Sequence, residues 1–517
     1  MRYIGLYFLI FLYVLGCKPT GYIYNHGTGI SLSPNNFTDL SHKEIIDLLT
    51  PDTVELKAHP LEDSINVEII IGTFLGNDQR NYYGNSAPGN LDVVWKFNLG
   101  TGKTKVGKKE LIWSGAGWTG QPLFIREDSS NFLIQGSYDH KLRKINASNG
   151  EVVWEYQFDD VIKGTASLWY NKDSRFLGNQ FHLLQGSRQG LNKSFYDRFI
   201  PSYRAINYFT GKEYWRLNSE LTRSYSRDVD GSALFYRNNA YIGLENGYFT
   251  ILKADSVINK DKAIQPFTIN RHLLYTTNDA VQHKGNVVTE SSPARLKHHI
   301  YIASGSGHIY GYNMQTDKID WDFYIGSDID GSVIVTEDSS LLVSIEKQYI
   351  EGEGGAMKLD PSKRPEEAVV WYFPTQNNDF ASWEGGIIGS IGVNDQTKVP
   401  GMPPLAAFIG IDGYLYVVNY RVTEKFQRAI GFDGQTVYPK PVQIFKYKVG
   451  PSISTPIFVG DKLIAASYNG IHLFSFDNEG NFKLLDKLTA SFEATPIAVD
   501  GKIFIASRNG YLYCLGK

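Results

Sequence analysis

The feature that most constrains the fold is a short phrase that recurs along the chain: an apolar stretch, a polar turn that usually holds Gly, and then Trp. It reads KINASNGEVVW at 144–154, AINYFTGKEYW at 205–215 and YNMQTDKIDW at 312–321. A chain that repeats one unit builds a repeat architecture, in which each copy buries its surface against its neighbours. The 517 residues are too many for one ordinary core, so these repeats decide the fold.

A second recurring phrase has five consecutive positions. The first varies, the second is usually a small residue, the third is usually Ser or Thr, the fourth is often Pro or Ala, and the fifth is usually apolar. Its copies begin at Thr119, Lys163, Asp230, Glu290, Asp330, Glu384, Ile453 and Glu493. The closest copies are 40 residues apart (290 to 330, and 453 to 493), which is the period of a propeller blade. Alternating strands and Gly-bearing turns follow most copies, and the Trp phrase closes the unit. Each unit is therefore predicted to contain four antiparallel strands.

The two ends of the chain complement each other. The last unit, from Phe492 to Lys517, has three strands, and the strand that it lacks is found at 91–100, in LDVVWKFNLG. We predict an all-β fold: an eight-bladed β-propeller of four-stranded antiparallel blades, whose last blade is closed by the N-terminal strand carrying Trp95. Seven blades are the alternative if the unit at Glu384 is not a blade. Ring closure removes the open sheet edges that would otherwise promote aggregation.

The N-terminus has the form of a bacterial lipoprotein signal. Arg2 precedes an apolar run that is too short for a membrane span, and the run ends in VLGC at 14–17. This ending resembles a lipobox, whose Cys receives the lipid. An ordinary signal peptide and a Cys17–Cys514 disulfide are the alternatives, because the chain has only 2 Cys.

These observations predict three segments. A lipoprotein signal peptide covers 1–17, a tether with a short helix from Ser41 covers 18–65, and a single propeller domain covers 66–517. The predicted location is the bacterial cell envelope, lipid-anchored through Cys17 to a membrane and facing the periplasm or the cell surface. Inner and outer membrane remain open alternatives.

The Trp phrase carries a family resemblance. NASNGEVVW at 146–154 resembles the D-x-x-T-G-x-x-x-W tryptophan-docking pattern of the pyrroloquinoline-quinone (PQQ) repeat family, and the similarity extends over about residues 74–517. Some members of this family are quinoprotein dehydrogenases, which oxidise alcohols or sugars with the quinone and a calcium ion. Others are non-catalytic propeller lipoproteins, such as the scaffold subunit of the outer-membrane barrel-assembly machinery. The adjacent cysteine pair and the C-x-x-C-H haem site of the dehydrogenases are missing here, which favours the lipoprotein branch.

We therefore expect a membrane-tethered, PQQ-like propeller that acts as a non-catalytic binding or scaffolding module, is monomeric, and has an envelope protein or a glycan as its partner. The first alternative is a PQQ-dependent alcohol or sugar dehydrogenase. The second is a carbohydrate-binding or carbohydrate-active propeller that uses carboxylates at the channel mouth. No cofactor and no metal ligands are assigned. A net charge of −3 argues against nucleic acid as a partner.

The first position of the second phrase precedes the innermost strand of each blade, so these side chains are expected to ring one mouth of the central channel. Like charges in such a funnel raise one another's pKa, and a cation or a polyol would relieve the repulsion. The candidate ligand-binding residues are Trp118, Lys163, Arg227, Asp228, Asp230, His283, Glu290, Asp328, Asp330, Trp383, Glu384 and Glu493.

Several interpretations of this set remain open. In the binding interpretation, Lys163 and Arg227 supply counter-charges while Trp118 or Trp383 stacks on the ligand. In a catalytic interpretation, a carboxylate pair or His283 performs acid–base chemistry. In a purely structural one, the carboxylates cap the backbone N–H groups of turns. Long insertions at 171–203, 254–287 and 421–442 would form a lid if they lie on the same mouth. The basic run at 103–109 is predicted to be a solvated loop.

Overall fold

The computed structural model describes residues 65–171, 180–260 and 262–517, together with the short strands Ile23–Tyr24, Ser31–Leu32 and Thr53–Val54. Cys17 and the predicted helix from Ser41 lie outside the described residues. In the described part, the helices are the α-helix Thr277–Gln282 and the 3-10 helix Pro365–Glu367. Neither has the length and apolar character needed to cross a membrane.

Eight antiparallel sheets follow one another along the chain and form the blades of a propeller, here numbered 1 to 8. The strands of blades 1 to 4, from the axis outward, are Leu123–Glu127, Ser130–Gly136, Lys141–Asn146 and Val152–Gln157; Ser167–Tyr170, Phe181–Gly186, Tyr203–Asn207 and Glu213–Leu217; Leu234–Tyr236, Asn239–Gly243, Tyr248–Lys260 and Ala263–Leu273; and Ala294–Leu296, His299–Ser304, His308–Asn313 and Lys318–Tyr324. A further strand, Val67–Ile71, pairs with the innermost strand of blade 1. Thr53–Val54 pairs with the third strand of blade 3.

Blades 5 to 8 complete the ring. Their strands, in the same order, are Ile334–Val335, Leu341–Ile345, Gly355–Leu359 and Val369–Pro374; Gly392–Val393, Leu405–Ile409, Tyr414–Ile430 and Val437–Lys448; Ile457–Val459, Lys462–Ser467, Gly470–Phe476 and Phe482–Leu488; and Ile497–Val499, Lys502–Ala506, Tyr511–Leu515 and Val93–Asn98. The prediction of eight four-stranded blades is confirmed, and the seven-blade alternative is wrong.

The predicted closure of the ring is also confirmed. Val93–Asn98 pairs antiparallel with Tyr511–Leu515, so that Trp95 lies opposite Cys514. The N-terminal strand thereby supplies the outer strand of blade 8. Hydrogen bonds within this one sheet join the two ends of the propeller.

The Trp residues of the outer strands join each blade to the next one. In every case the indole N–H donates to a backbone carbonyl oxygen of the following blade. The pairs are Trp95 to Ala147 (3.1 Å), Trp154 to Tyr208 (2.9 Å), Trp215 to Ala254 (2.8 Å), Trp321 to Lys363 (3.0 Å) and Trp371 to Tyr420 (2.9 Å). The recurring Trp phrase therefore encodes a contact between neighbouring blades, in addition to a strand.

Replacing Trp215 tests the energetic weight of this contact. Trp215 is 0% exposed, so Trp215→Ala would leave a cavity between blades 2 and 3 and remove the indole hydrogen bond. We expect the free energy of unfolding, measured by urea titration, to fall by about 3–5 kcal/mol. Trp215→Phe keeps most of the apolar volume and should cost about 1–3 kcal/mol, chiefly for the lost hydrogen bond. A loss below about 1 kcal/mol in Trp215→Ala would contradict the docking role.

The Ser or Thr of the second phrase explains why that phrase recurs. Its hydroxyl oxygen accepts a hydrogen bond from the backbone N–H of the equivalent residue in the preceding blade. The bonds are Ser232 to Ser292 (2.9 Å), Ser292 to Ser332 (2.8 Å), Ser332 to Ser390 (2.9 Å), Ser390 to Thr455 (3.1 Å) and Thr455 to Thr495 (3.2 Å). A chain of hydroxyl-mediated hydrogen bonds thus runs around the axis from blade to blade.

This chain of hydrogen bonds corrects the alignment of blade 6. Its equivalent hydroxyl belongs to Ser390, so the phrase begins at Ile388 and continues through Gly389. The prediction that Glu384 occupies the first position was wrong. Gly-Gly at 385–386 resembles the small residues of the phrase, but Glu384 is exposed and lies in the loop that precedes Ile388.

Candidate functional site

One mouth of the central channel holds a cavity of about 1020 Å³. Several of the predicted site residues line it: Trp118, Lys163, Asp228, Glu290, Asp330, Trp383 and Glu493. They come from different blades and reach one space because the second phrase opens each innermost strand on the same side of the ring. The structure therefore brings these residues to one cavity.

The remaining candidates lie behind the cavity wall or away from it. Asp230 is buried and contacts the Lys163 ammonium. Asp328 is buried and accepts a hydrogen bond from the Asn286 side-chain nitrogen (2.6 Å). Glu384 is exposed and is not among the lining residues.

Arg227 and His283 contact backbone carbonyl oxygens and do not line the cavity. The Arg227 guanidinium donates to the backbone carbonyl oxygens of Phe195 (2.6 Å), Asp197 (2.7 Å) and Ser219 (2.7 Å). Arg227 thus holds the backbone at Phe195 and Asp197 and is not the counter-charge that the sequence suggested. The Nδ1 atom of His283 lies 2.6 Å from the carbonyl oxygen of Gly305, and the His283 ring stacks on the Tyr349 ring.

Two insertions reach the cavity. The insertion at 171–203 contributes Arg188, Gln189, Lys193 and Phe195 to its lining. The basic run at 103–109 is largely exposed, as predicted, but it is a hairpin and not a loop. It belongs to the strands Thr101–Val106 and Lys109–Ser114, and the tip of this hairpin also contributes to the lining. Among the residues described here, none from 254–287 or 421–442 lines the cavity.

The cavity floor contains two groups of carboxylates built from the same repeat. RDVDGS at 227–232 and SDIDGS at 327–332 are two copies of one sequence. The first acidic group consists of Asp230, Glu245 and Glu290, and the second of Asp328, Asp330 and Glu346; in each, carboxylate oxygens lie within 4.8 Å of one another. This spacing allows three carboxylates to share one cation.

Sequence reasoning missed Glu245 and Glu346, although a signal was present. Each follows the second strand of its blade, Asn239–Gly243 in blade 3 and Leu341–Ile345 in blade 5. The signal is an acidic residue in the turn that follows the second strand, which recurs in blades 3 and 5.

Lys163 neutralises much of the first acidic group. Its Nζ contacts Asp230 and lies 3.7 Å from Glu245 Oε1 and 4.0 Å from Glu290 Oε1. Asp228, in the same copy of the sequence, pairs with Arg188, whose Nε lies 2.7 Å from Asp228 Oδ2. The sequence identified the lysine but not the arginine.

One ammonium group cannot balance three clustered carboxylates, so this acidic group retains protons near neutral pH. Burial, together with repulsion from Glu245 and other carboxylates, raises the pKa of Glu290 to about 8, although Lys163 opposes the shift. Burial lowers the pKa of Lys163, but the surrounding carboxylates outweigh it and raise that pKa well above its usual value. The lysine therefore stays charged.

The raised pKa of Glu290 predicts a pH-dependent stability. Folded protein keeps a proton on Glu290 that the unfolded chain releases, so this stabilisation is present below the unfolded-state pKa near 4.5 and is lost as pH rises through about 8. In EDTA, the free energy of urea unfolding should fall between pH 5 and pH 9. Glu290→Gln should flatten the profile by ~2–4 kcal/mol, because each unit of pKa shift corresponds to about 1.4 kcal/mol. Exposed Glu366→Gln is the control, and equal slopes in Glu290→Gln and wild type would contradict the shift.

The second acidic group has no comparable cation. Among the residues that the structure describes, no lysine or arginine lies within 4.0 Å of Asp328, Asp330 or Glu346. Carboxylate oxygens of Asp330 and Glu346 lie within 4.8 Å of each other, and burial together with neighbouring carboxylates raises the pKa of both well above the usual range. Asp328 Oδ1, Glu346 Oε1 and Asn286 Oδ1 are buried without a hydrogen-bond partner.

The opposite wall of the cavity is aromatic. Phe380 and Trp383 stack with an interplanar angle of 11°, and Tyr468 lies 4.9 Å from Phe380, measured between ring centroids. Glu493 accepts hydrogen bonds from the hydroxyls of Tyr138 (3.3 Å) and Tyr468 (2.9 Å). A concave space with aromatic walls and a few convergent polar groups has the character of a ligand pocket.

Known proteins resemble this chain in fold. No protein-family model matches it, and no curated protein matches it by sequence. Among solved structures, the quinohemoprotein alcohol dehydrogenase from Comamonas testosteroni aligns with a TM-score of 0.52 and 13% identity, covering 86% of this chain and 80% of that one. A europium-containing methanol dehydrogenase aligns with a TM-score of 0.50 and 13% identity, covering 84% and 89%. BamB from Moraxella catarrhalis aligns with a TM-score of 0.49 and 12% identity, covering 83% and 98%.

The likeness to the PQQ-like propellers is confirmed for the fold, and identities this low show the fold alone. The cavity floor does not fit PQQ itself. PQQ carries three carboxylates, which would meet both acidic groups. Of the cations that line the cavity, Lys163, Arg188 and Arg508 each already lie within 4.0 Å of a protein carboxylate, whereas Lys105 and Lys193 belong to the insertions and not to the floor.

Proposed function

We propose that this protein is a non-catalytic binding module of the bacterial cell envelope, tethered by a lipid at Cys17, and that its ligand binds in the cavity at the channel mouth. The cavity of about 1020 Å³ carries this proposal, because aromatic walls and buried polar groups from several blades converge on it. An envelope glycan is the ligand class that this chemistry supports best.

The lining suits a saccharide in two ways. The aromatic wall of Phe380 and Trp383 offers a flat apolar surface for the C–H face of a sugar ring. Sugar hydroxyls find hydrogen-bond acceptors in Glu290 and donors in Arg508 and in the Trp118 indole N–H, which is buried without a partner.

The engagement of the carboxylates supports binding over catalysis. Glycoside hydrolysis needs two carboxyl groups that are free to act on opposite sides of the bond. Here Asp228 is held by Arg188, Asp230 by Lys163, and Glu493 by two tyrosine hydroxyls. Such contacts fix these three carboxylates in place, which favours recognition over catalysis at their positions.

Glycan binding is tested on the full-length chain carrying Cys17→Ala, which keeps it free of lipid. The labelled protein is applied to an array of bacterial envelope glycans, and each hit is measured by calorimetry. Trp383→Ala should weaken binding at least ~10-fold through loss of the stacking surface. Phe426→Ala, which removes a ring that is 95% exposed and outside the cavity lining, is the matched control and should leave affinity unchanged.

Three results would overturn the proposal: no glycan retained by the wild-type pocket, affinity unaffected by Trp383→Ala, or turnover of a bound glycan. Retention with intact chain length, lost only in the cavity variant, is the result expected of a non-catalytic module.

The lipid tether has its own test. In cells expressing the full chain, Cys17→Ala should move the protein from the membrane fraction to the soluble fraction, because the lipidated residue is removed. Fractionation followed by immunoblotting measures the shift. Persistence of the variant in the membrane fraction would show that another anchor holds it.

A further inference from the structure

The two copies of the acidic sequence differ in the ion pairs that their aspartates make. In RDVDGS at 227–232, Arg188 pairs with Asp228 and Lys163 pairs with Asp230. In SDIDGS at 327–332, neither aspartate has a lysine or arginine partner in the part of the chain that the structure describes. Within the described residues, the two copies therefore differ in the lysine and the arginine, which pair with the first copy and have no counterpart at the second.

We propose that the second acidic group, Asp328, Asp330 and Glu346, binds a cationic amine carried by the ligand, in the way that the first acidic group binds the ammonium of Lys163. This inference rests on the proposed ligand cavity and names the ligand's chemistry: a saccharide or similar polar molecule that bears a primary amine.

The hydrogen-bonding groups around the second acidic group are complementary to an ammonium. Asp328 Oδ1 and Glu346 Oε1 are acceptors without a donor, and both residues are at least nine-tenths buried. Asn286 reaches the group itself, since its side-chain nitrogen donates to Asp328 Oδ2 (2.6 Å). A primary ammonium has three N–H donors and no acceptor, so it supplies what these oxygens lack. A hydrogen bond to a charged group contributes more than one between neutral groups.

An amine can approach this group from the cavity. Asp330 is partly exposed and lines the cavity, while Asp328 and Glu346 lie behind it. Tyr225 also lines the cavity, and burial together with Glu290, Asp328 and Asp330 raises the pKa of its hydroxyl. The face of its ring attracts a cation that passes over it.

The test compares ligands that differ only in the amine. Calorimetry on the full chain carrying Cys17→Ala, in EDTA, uses chitosan oligomers against fully N-acetylated oligomers of the same length, and 1,6-diaminohexane against 1,6-hexanediol. We expect the amine to bind at least ~10-fold more tightly in each pair. Asp330→Asn and Glu346→Gln should abolish that preference, and the exposed-site control Glu366→Gln should retain it. Circular dichroism and a cooperative urea transition verify that each variant is folded.

The outcomes separate this inference from the proposed function. If neither saccharide binds but the diamine binds and depends on Glu346, the amine site stands and the glycan function falls. If both saccharides bind equally and the diamine fails, the glycan function stands and the amine site is wrong. Calcium titrated in place of the amine is the final arm: calcium binding lost in Glu346→Gln, without amine binding, would assign the group to a metal and overturn the inference.

Discussion

Deletion of residues 511–517 is expected to abolish the cooperative unfolding of the propeller. The deletion removes the strand Tyr511–Leu515, which lies between Lys502–Ala506 and the N-terminal strand Val93–Asn98. Without it, two strand edges are exposed and the two ends of the ring are no longer joined by hydrogen bonds. Exposed edges recruit other chains, so we expect self-association as well as loss of stability.

Thermal unfolding and light scattering measure both effects. The truncated chain should lose its sharp transition and elute as higher-order species, whereas the wild type is expected to elute as a monomer. Deletion of Lys517 alone is the control, because this exposed residue follows the strand. A truncated chain that stays monomeric and unfolds at the wild-type temperature would mean that ring closure contributes little.

Lys163→Met is expected to produce the next largest effect. The substitution keeps the length of the side chain but removes the ammonium that Asp230, Glu245 and Glu290 share. Removing one partner of a buried ion pair leaves an uncompensated charge and typically costs about 3–5 kcal/mol. We expect a loss of this size in the free energy of urea unfolding at pH 8. The loss should be smaller at pH 5, where the carboxylates can take up protons.

The exposed lysine Lys108 provides the matched control, and Lys108→Met should stay within about 0.5 kcal/mol of wild type. Adding Asp230→Asn to Lys163→Met should restore part of the lost stability, since it removes one of the uncompensated charges. Equal stability of Lys163→Met and wild type at pH 8 would contradict the neutralising role of the lysine.

The fold could be predicted because the same short sequence patterns recur in most blades and specify the same strands each time. The Trp phrase specifies an outer strand, and the incomplete last unit indicates where Trp95 must pair. Periodicity of this kind needs no knowledge of side-chain direction. It failed only at Glu384, where a neighbouring Gly-Gly imitated the phrase and Ile388 occupies the position instead.

The site was only partly predictable, because pairing between side chains of different blades depends on tertiary geometry. Lys163 was recognised as a counter-charge, but Arg188 comes from an insertion whose path the sequence does not reveal. Arg227, predicted for the same role, turns toward backbone carbonyls. Glu346 was missed since it follows a second strand, away from the phrase that defined the search.

The pairing of Trp95 with Cys514 offers the most direct measurement of the closed ring, on which the shared mouth of the channel depends. Directly opposed residues in an antiparallel pair have Cα separations of about 4.5–5.5 Å, within the range that a disulfide spans. In a chain carrying Cys17→Ala, Trp95→Cys should therefore form an intramolecular disulfide with Cys514 under mild oxidation, detected by mass spectrometry of non-reduced peptides from the monomer. A folded, oxidised monomer in which both thiols stay free would contradict the closed propeller and the common acidic floor built on it.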